Sequence, residues 1–149
     1  MTELLENSSM PSSTRHATKI AVVLLDTLPT WQKLNVTAFL ASGIAATAGE
    51  SIGLTYRDAD GTSYSPMFGQ PVMVFAAAQA EVDRAFDRAI ARGVTPAIFS
   101  RALFATGDDE SNRAQVSARS RDQLDLVGIA VRADRKVVDK IVDKLSLHQ

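Results

Sequence analysis

The sequence predicts an α/β domain, a three-layer sandwich in which a small mixed sheet lies between helices. Two pairs of segments carry this prediction. An aliphatic run at Lys19–Leu25 precedes an apolar helical segment at Trp31–Ala48, and Leu124–Arg132 followed by Ala133–Leu147 repeats the pattern. A continuous apolar strand is buried on both faces, which requires helices on both sides of the sheet.

The segment between these pairs alternates strand and helix patterns, as a layered α/β domain does. Asp60-Gly61 suits the positive φ angles of a hairpin turn, and this hairpin indicates a mixed rather than a purely parallel sheet. The predicted elements are hairpin strands at Ile52–Tyr56 and Ser63–Ser65, a buried strand at Val72–Phe75, a helix at Gln79–Arg92, a short strand at Ala97–Phe99 and a helix at Asp108–Val116.

Local residues also predict where the helices begin and end. Thr30 is the expected N-cap of the first long helix, because a hydroxyl oxygen can accept a hydrogen bond from a first-turn amide. Gly49 is the expected stop of that helix. Asp108 is the expected N-cap of a later helix, and the acids that follow it suit the positive end of the helix dipole.

Length and composition indicate one soluble domain. The chain has 149 residues, of which 46% are hydrophobic and 22% charged, with a net charge of −1 and no cysteine. Residues 1–17 are polar and lack the apolar core of a signal peptide, so we expect a disordered tail followed by a single domain at 18–149. No stretch approaches the roughly 18–20 apolar residues of a membrane helix, and a cytoplasmic location is expected.

The sequence lacks the residue motifs by which most enzymes are recognised. His16 and His148 lie far from other ligand types, and no glycine-rich phosphate loop is present, so we predict neither a metal nor a cofactor. Two helices carry basic stripes that alternate with acids, which we interpret as solvated, ion-paired faces. The stripes are Arg84, Arg88 and Arg92, and Lys136, Lys140 and Lys144.

Two loci remain as candidate sites. The first is the start of the first long helix, where Lys33 and Asn35 lie beside amides that attract anions. Trp31 is interpreted there as a partly buried anchor rather than a lid or a stacking platform. The second is the polar cluster Thr106–Arg113. Helix capping accounts for Thr106 and Asp108 but not for the whole cluster. Its paired acids could act in general acid–base catalysis if they were partly buried.

Three segments together resemble an uncharacterised bacterial family known only as domain of unknown function 2000. They are KIAVVLLDTLPTWQKLNVTAFLASGIA, FATGDDESNR and LDLVGIAVRADRKVVDKIVDKLSLH. That family is similar in turn to the archaeal and eukaryotic type of peptidyl-tRNA hydrolase. The resemblance implies a compact α/β/α sandwich with a mixed sheet. It covers nearly the whole predicted domain.

The resemblance implies a diverged active site. Lys33 matches the lysine that opens the enzyme's first helix, whereas Thr37 stands in place of a glutamine and Leu40 in place of a histidine. Thr106 corresponds loosely to the enzyme's threonine. The scaffold and one lysine are therefore retained while much of the site is not, and fold similarity alone does not transfer function.

The expected site lies where the Lys33 loop meets the polar cluster. Lys33 would hold an anionic group, and Asp109 or Asp108 would be the acid–base or hydrogen-bonding partner. The other expected ligand-binding residues are Asn35, Thr37, Thr106, Gly107 and Asn112.

Three functions stay open. The leading hypothesis is a small anionic or nucleotide-like ligand bound at a diverged site, with or without a chemical step. The second is hydrolysis of the ester bond in peptidyl-tRNA, which would make the chain a hydrolase with tRNA as partner. The third is a non-catalytic homodimeric interaction module, with Met67 and Phe68 in an exposed contact loop.

Overall fold

The strand β1 is the centre of a five-stranded sheet, because hydrogen-bonded neighbours and helices cover it on all sides. The computed structural model describes residues 16–149, and residues 1–15 of the tail predicted at 1–17 lie outside the described residues. The elements are β1 Thr18–Leu25, α1 Thr30–Thr47, β2 Tyr56–Arg57, β3 Ser63–Tyr64, β4 Val72–Ala77, α2 Gln79–Ala91, β5 Ala97–Ser100, α3 Asp109–Ser117, β6 Leu126–Asp134, α4 Arg135–Ile141 and β7 Ser146–Leu147.

The main sheet is mixed, as predicted. Its strand order is β5-β6-β1-β4-β7. β1 pairs in parallel with β4 and antiparallel with β6, while β5 and β7 add antiparallel edges. Ile20–Leu25 is buried throughout, as its continuous apolar run predicts.

Helices cover both faces of this sheet. α1 packs on β1, β5 and β6, whereas α2 and α4 pack against each other and on β1 and β6. The buried residues of α1 are Val36, Leu40 and Ile44, which recur every four positions. The α/β class and the mixed sheet are therefore confirmed.

Two glycines bring α1 unusually close to the sheet. A Cβ atom added at Gly128 on β6 would lie 2.7 Å from Val36 Cγ1 and 3.2 Å from Leu40 Cδ1. A Cβ atom at Gly43 on α1 would lie 2.9 Å from the Cβ of Ala97 on β5. These distances are too short for normal packing, so the glycines set how α1 lies on the sheet.

The predicted hairpin exists, but it does not belong to the main sheet. β2 and β3 form a separate two-stranded sheet. Its turn contains Gly61 at a φ of 87°, as predicted. The Asp58 carboxylate accepts hydrogen bonds from the Tyr64 hydroxyl and the Thr62 amide, and these bonds lower the pKa of Asp58. The hairpin was expected to supply the antiparallel strands of the main sheet. This expectation was wrong, because β5, β6 and β7 supply the antiparallel pairs.

Two helix boundaries also differ from the predictions. Pro29 rather than Thr30 occupies the N-cap position of α1, and no side chain caps that end. The helix predicted at Ala133–Leu147 ends at Ile141. Lys144 then adopts a φ of 69°, and the chain turns to pair β7 with β4. Within residues 16–149, no helix is both long and apolar enough to cross a membrane.

The basic stripe on α2 contacts the neighbouring helix. Arg88 donates hydrogen bonds to the carbonyl oxygens of Lys140 and Asp143, both at 3.3 Å, and Arg84 donates to Asp143 at 3.4 Å. Arg84 also lies 4.0 Å from Glu81, an i, i+3 pair. These bonds satisfy carbonyls at the end of α4, so Arg84 and Arg88 join two helices, which the interpretation as a solvated, ion-paired face did not include.

We expect Gly128→Ala to destabilise the protein by roughly 1–3 kcal/mol, because its methyl group would overlap Val36 and Leu40 in a packed core. Urea unfolding followed by circular dichroism measures the change. Gly49→Ala is the matched control, since a Cβ atom there meets nothing within 4 Å. Equal stability of the Gly128→Ala variant and the wild type would contradict the close packing of α1.

Candidate functional site

The first three turns of α1 present two different faces to solvent. Trp31, Asn35 and Phe39 lie four residues apart and share one face, whereas Lys33 and Thr37 share another. The start of α1 follows β1, and the turn that follows β5 lies at the same edge of the sheet. Ligands of α/β proteins commonly bind at this carboxyl edge.

The first face lines a concave pocket between α1 and α3, which we call the aromatic pocket. Its volume is about 380 Å³, within the usual range for small-molecule sites. The lining residues are Trp31, Asn35, Phe39, Phe99, Leu103, Phe104, Thr106, Gly107, Asp108, Asp109 and Asn112.

Four aromatic rings form a continuous wall of this pocket. The ring centroid of Phe99 lies 5.0 Å from that of Phe104 and 5.7 Å from that of Phe39. Trp31 meets Phe104 edge-on at 6.1 Å. Because Trp31 remains 62% exposed, the interpretation as a partly buried anchor was wrong, and its ring is accessible at the mouth of the pocket.

The polar residues of the pocket are held by the start of α3. Asp108 is the N-cap, as predicted, and its carboxylate accepts hydrogen bonds from the Ser111 amide at 2.7 Å and the Ser111 hydroxyl at 3.0 Å. These bonds lower the pKa of Asp108. Thr106 donates to the carbonyl oxygen of Leu103 at 3.0 Å and contacts Asn112 Oδ1.

Asp109 is an exposed residue of the first turn of α3. Its side chain is 81% exposed and forms an i, i+4 ion pair with Arg113. The condition for acid–base work was partial burial of the paired acids, and neither Asp108 nor Asp109 is buried. The stated condition for acid–base work is therefore not met, and the lining of the pocket offers hydrogen-bonding groups and aromatic surface.

The second face of α1 lines a different pocket, which we call the lysine pocket. Lys33 Nζ lies 3.0 Å from His148 Nε2. The backbone amide of His148 donates to Val74 at 2.8 Å, so the residue after β7 is fixed to the sheet. The pocket has a volume of about 270 Å³ and is lined by Leu24, Thr30, Lys33, Leu34, Thr37, Val74 and His148.

The structure divides the predicted site residues between these two pockets. The aromatic pocket brings together six of them, namely Asn35, Thr106, Gly107, Asp108, Asp109 and Asn112. Lys33 and Thr37 line the lysine pocket instead, and the Thr37 hydroxyl donates to the Lys33 carbonyl oxygen at 2.7 Å. Lys33 thus lies beside His148 rather than beside the carboxylates.

Sequence reasoning did not identify His148 or the three pocket phenylalanines as site residues. His148 reaches Lys33 only through the pairing of β7 with β4, for which the sequence carries no local signal. The phenylalanines lie on α1, on β5 and in the turn after β5, and only the fold assembles them. Among the described residues, no group of three His, Cys, Asp or Glu side chains could hold a metal ion.

Comparison with known proteins gives two findings. Residues 18–149 match the family described as "Protein of unknown function (DUF2000)". A solved structure of a protein of unknown function from Agrobacterium tumefaciens strain C58 is 47% identical, with a TM-score of 0.88 over 91% of this chain and 100% of that chain. No curated protein matches this chain.

We expect Asp108→Ala to lower the melting temperature by about 2–4 °C at pH 7, because α3 loses its cap. The folded-state pKa of Asp108 is lowered, so its contribution is present above the ordinary carboxyl range near pH 4 and is lost as the pH falls through the lowered value. The difference between variant and wild type should therefore shrink towards pH 3.

Thermal unfolding at both pH values measures this effect. Glu110→Ala is the control, since Glu110 is an exposed acid of the same turn that does not occupy the cap. An equal loss in the Glu110→Ala variant, or a difference that does not begin to shrink as the pH falls below about 4, would contradict the capping role.

Proposed function

The chain belongs to the DUF2000 family, and from its site we propose that it binds a small anionic ligand such as a nucleotide, with the anionic group in the lysine pocket. The observation that carries the proposal is the 3.0 Å contact between Lys33 Nζ and His148 Nε2. Lys33 can only donate, so the neutral imidazole accepts at Nε2 and carries its proton on Nδ1. Nδ1 lies 2.9 Å from the backbone oxygen of Gln149, which suits this tautomer.

The surroundings of Lys33 favour an anion. None of the described residues that line the lysine pocket is a carboxylate. The pocket also adjoins the start of α1, where Pro29 is the N-cap and no side chain caps the first turn. The positive end of an 18-residue helix adds to the charge of the lysine.

The proposal is binding without an assigned chemical step. The residues expected to be catalytic, Lys33 and Asp109, line different pockets. Each has a partner of its own, His148 for Lys33 and Arg113 for Asp109. A reaction that needs both groups on one atom of a substrate is not supported by this arrangement.

We also propose that the fold is related to the archaeal and eukaryotic type of peptidyl-tRNA hydrolase. The order of strands and helices and the mixed sheet support this relationship. No observation favours the hydrolase activity, however. Leu40, at the position of the enzyme's histidine, is only 1% exposed and packs in the core, and the Thr37 hydroxyl is bonded to its own helix.

A second candidate function is homodimerisation through the hairpin region. Met67 is 58% exposed as expected, but Phe68 is partly buried against the core, so its expected exposure was wrong. Leu54 is 89% exposed, and a hydrogen bond of 2.8 Å from the Gly53 amide to the Met67 carbonyl holds the segments of Leu54 and Met67 together. Tyr56 and Tyr64 lie opposite each other on β2 and β3, and both are exposed. Exposed apolar side chains gathered in this way are typical of interaction surfaces.

We expect the affinity for ribose 5-phosphate and inorganic phosphate to fall about tenfold or more in Lys33→Ala, because a charge-assisted hydrogen bond is lost. Lys33→Arg should retain most of the affinity. Isothermal titration calorimetry at low ionic strength measures the affinity of each variant for both ligands. Lys136→Ala is the matched control, an exposed lysine of α4 outside the pocket. The proposal fails if neither ligand binds at up to about 10 mM, or if Lys136→Ala weakens binding equally.

For the hairpin surface, we expect a dimer in analytical ultracentrifugation at high protein concentration, and we expect Leu54→Asp to shift it to monomer by burying a charge at the contact. Glu50→Asp, on the neighbouring turn, should leave the association unchanged. A wild-type protein that stays monomeric at the highest concentration would rule out self-association.

A further inference from the structure

We infer that the aromatic pocket is a second binding site, which takes an uncharged planar ring carrying hydrogen-bond donors, of the kind that nucleobases provide. This site is independent of the anion site, because no described residue lines both pockets. A failure to detect binding at one pocket would therefore not count against binding at the other.

The aromatic wall supplies the surface for a planar ring. Trp31 is 62% exposed and its ring is inclined by 65° to that of Phe104, so the indole offers accessible surface to a stacked ring. The adjoining rings of Phe104 and Phe99 are tilted by 50° and extend the wall inward. Stacking on such residues is strong for any flat heteroaromatic ring.

The charge of the rim selects against an anion here. Asp108 presents a carboxylate, and Asp109 is the other acid of the lining. The described residues that line the pocket include no lysine, arginine or histidine. Arg113 is paired with Asp109 and is not part of the lining, so a phosphate in the pocket would meet two carboxylates and no cation among the described lining residues, whereas ring N–H and amino groups would meet acceptors.

Polar side chains at the rim of the aromatic pocket can form hydrogen bonds with the ring N–H and amino groups of a ligand. Asn35 is exposed on the same helix face as Trp31, and Asn112 faces it from α3. Each side-chain amide can both donate and accept, which matches the edge of a nucleobase. The backbone at Gly107 is open as well, since a Cβ atom there would meet nothing within 4 Å.

The pocket also leaves space for a substituent on the ring. A neighbouring cavity of about 390 Å³ shares Phe39 and Phe99 with it and continues to Gly43 on α1 and Val116 on α3. A ring stacked on Trp31 can therefore carry a sugar-sized group along the groove between the two helices.

The sequence provides a direct probe, because Trp31 is the only tryptophan. Adenosine should quench its fluorescence in a saturable way. Calorimetry should show that Trp31→Ala weakens adenosine binding about tenfold or more and that Trp31→Phe retains part of the affinity, as expected for stacking. Lys136→Ala, at an exposed residue of α4 outside both pockets, is the control and should bind as the wild type does.

A second ligand tests the hydrogen-bond part. Purine riboside has the same ring without the amino group and should bind about tenfold more weakly than adenosine, because the rim acceptors are left unpaired. Equal affinities would overturn the donor requirement. No quenching by adenosine up to about 10 mM, or unchanged adenosine affinity in Trp31→Ala, would overturn the site itself.

Lys33→Ala separates this inference from the proposed anion site. It should leave adenosine binding intact while weakening phosphate binding. Loss of adenosine binding in Lys33→Ala but not in Trp31→Ala would place the ring elsewhere and overturn the inference.

Discussion

The close contact of α1 with the sheet over Gly128 is the constraint on which both pockets depend. Because β6 has no side chain at this position, Val36 and Leu40 pack directly against its backbone. This contact fixes the rotation of α1 about its axis. The rotation in turn directs Trp31 to one side of the helix and Lys33 to the other. A helix that lay farther from the sheet could turn, and neither pocket would have a defined wall.

The two pockets combine opposite chemistry within a few residues of one helix. On one side, a lysine and a histidine meet at a helix start that no side chain caps. On the other, aromatic rings meet a rim whose charged residues are acids. With the two sites we propose, one short segment would discriminate between the charged and the flat parts of ligands, because the acids of the aromatic pocket disfavour an anion there. The polar cluster at the start of α3 contributes acceptors to this discrimination.

The sequence predicted the elements whose signals are local. Asp108 caps α3 where its side chain and the acids after it indicated, and Gly61 turns the hairpin. The end of α4 was not predictable, because Lys144 leaves the helix to let β7 pair with β4, which is a tertiary effect. The sequence also did not predict which face of α1 packs on the sheet and which faces line the pockets. Leu34 and Phe39 are exposed while Leu40 is buried, so apolar residues occur around the whole helix and its pattern does not say which side the pockets occupy.

The position of β1 between β4 and β6 has a consequence for how the chain is synthesised. Ile20 lies opposite Val72 on one side and Arg132 on the other, so the second partner is made long after the first. Until β6 emerges from the ribosome, β1 keeps one unpaired edge, and α4, which also packs on β1, has not been made. Contacts of such long sequence separation form slowly. The nascent chain therefore carries an unpaired strand edge until β6 has been made, and such an edge can pair with other chains.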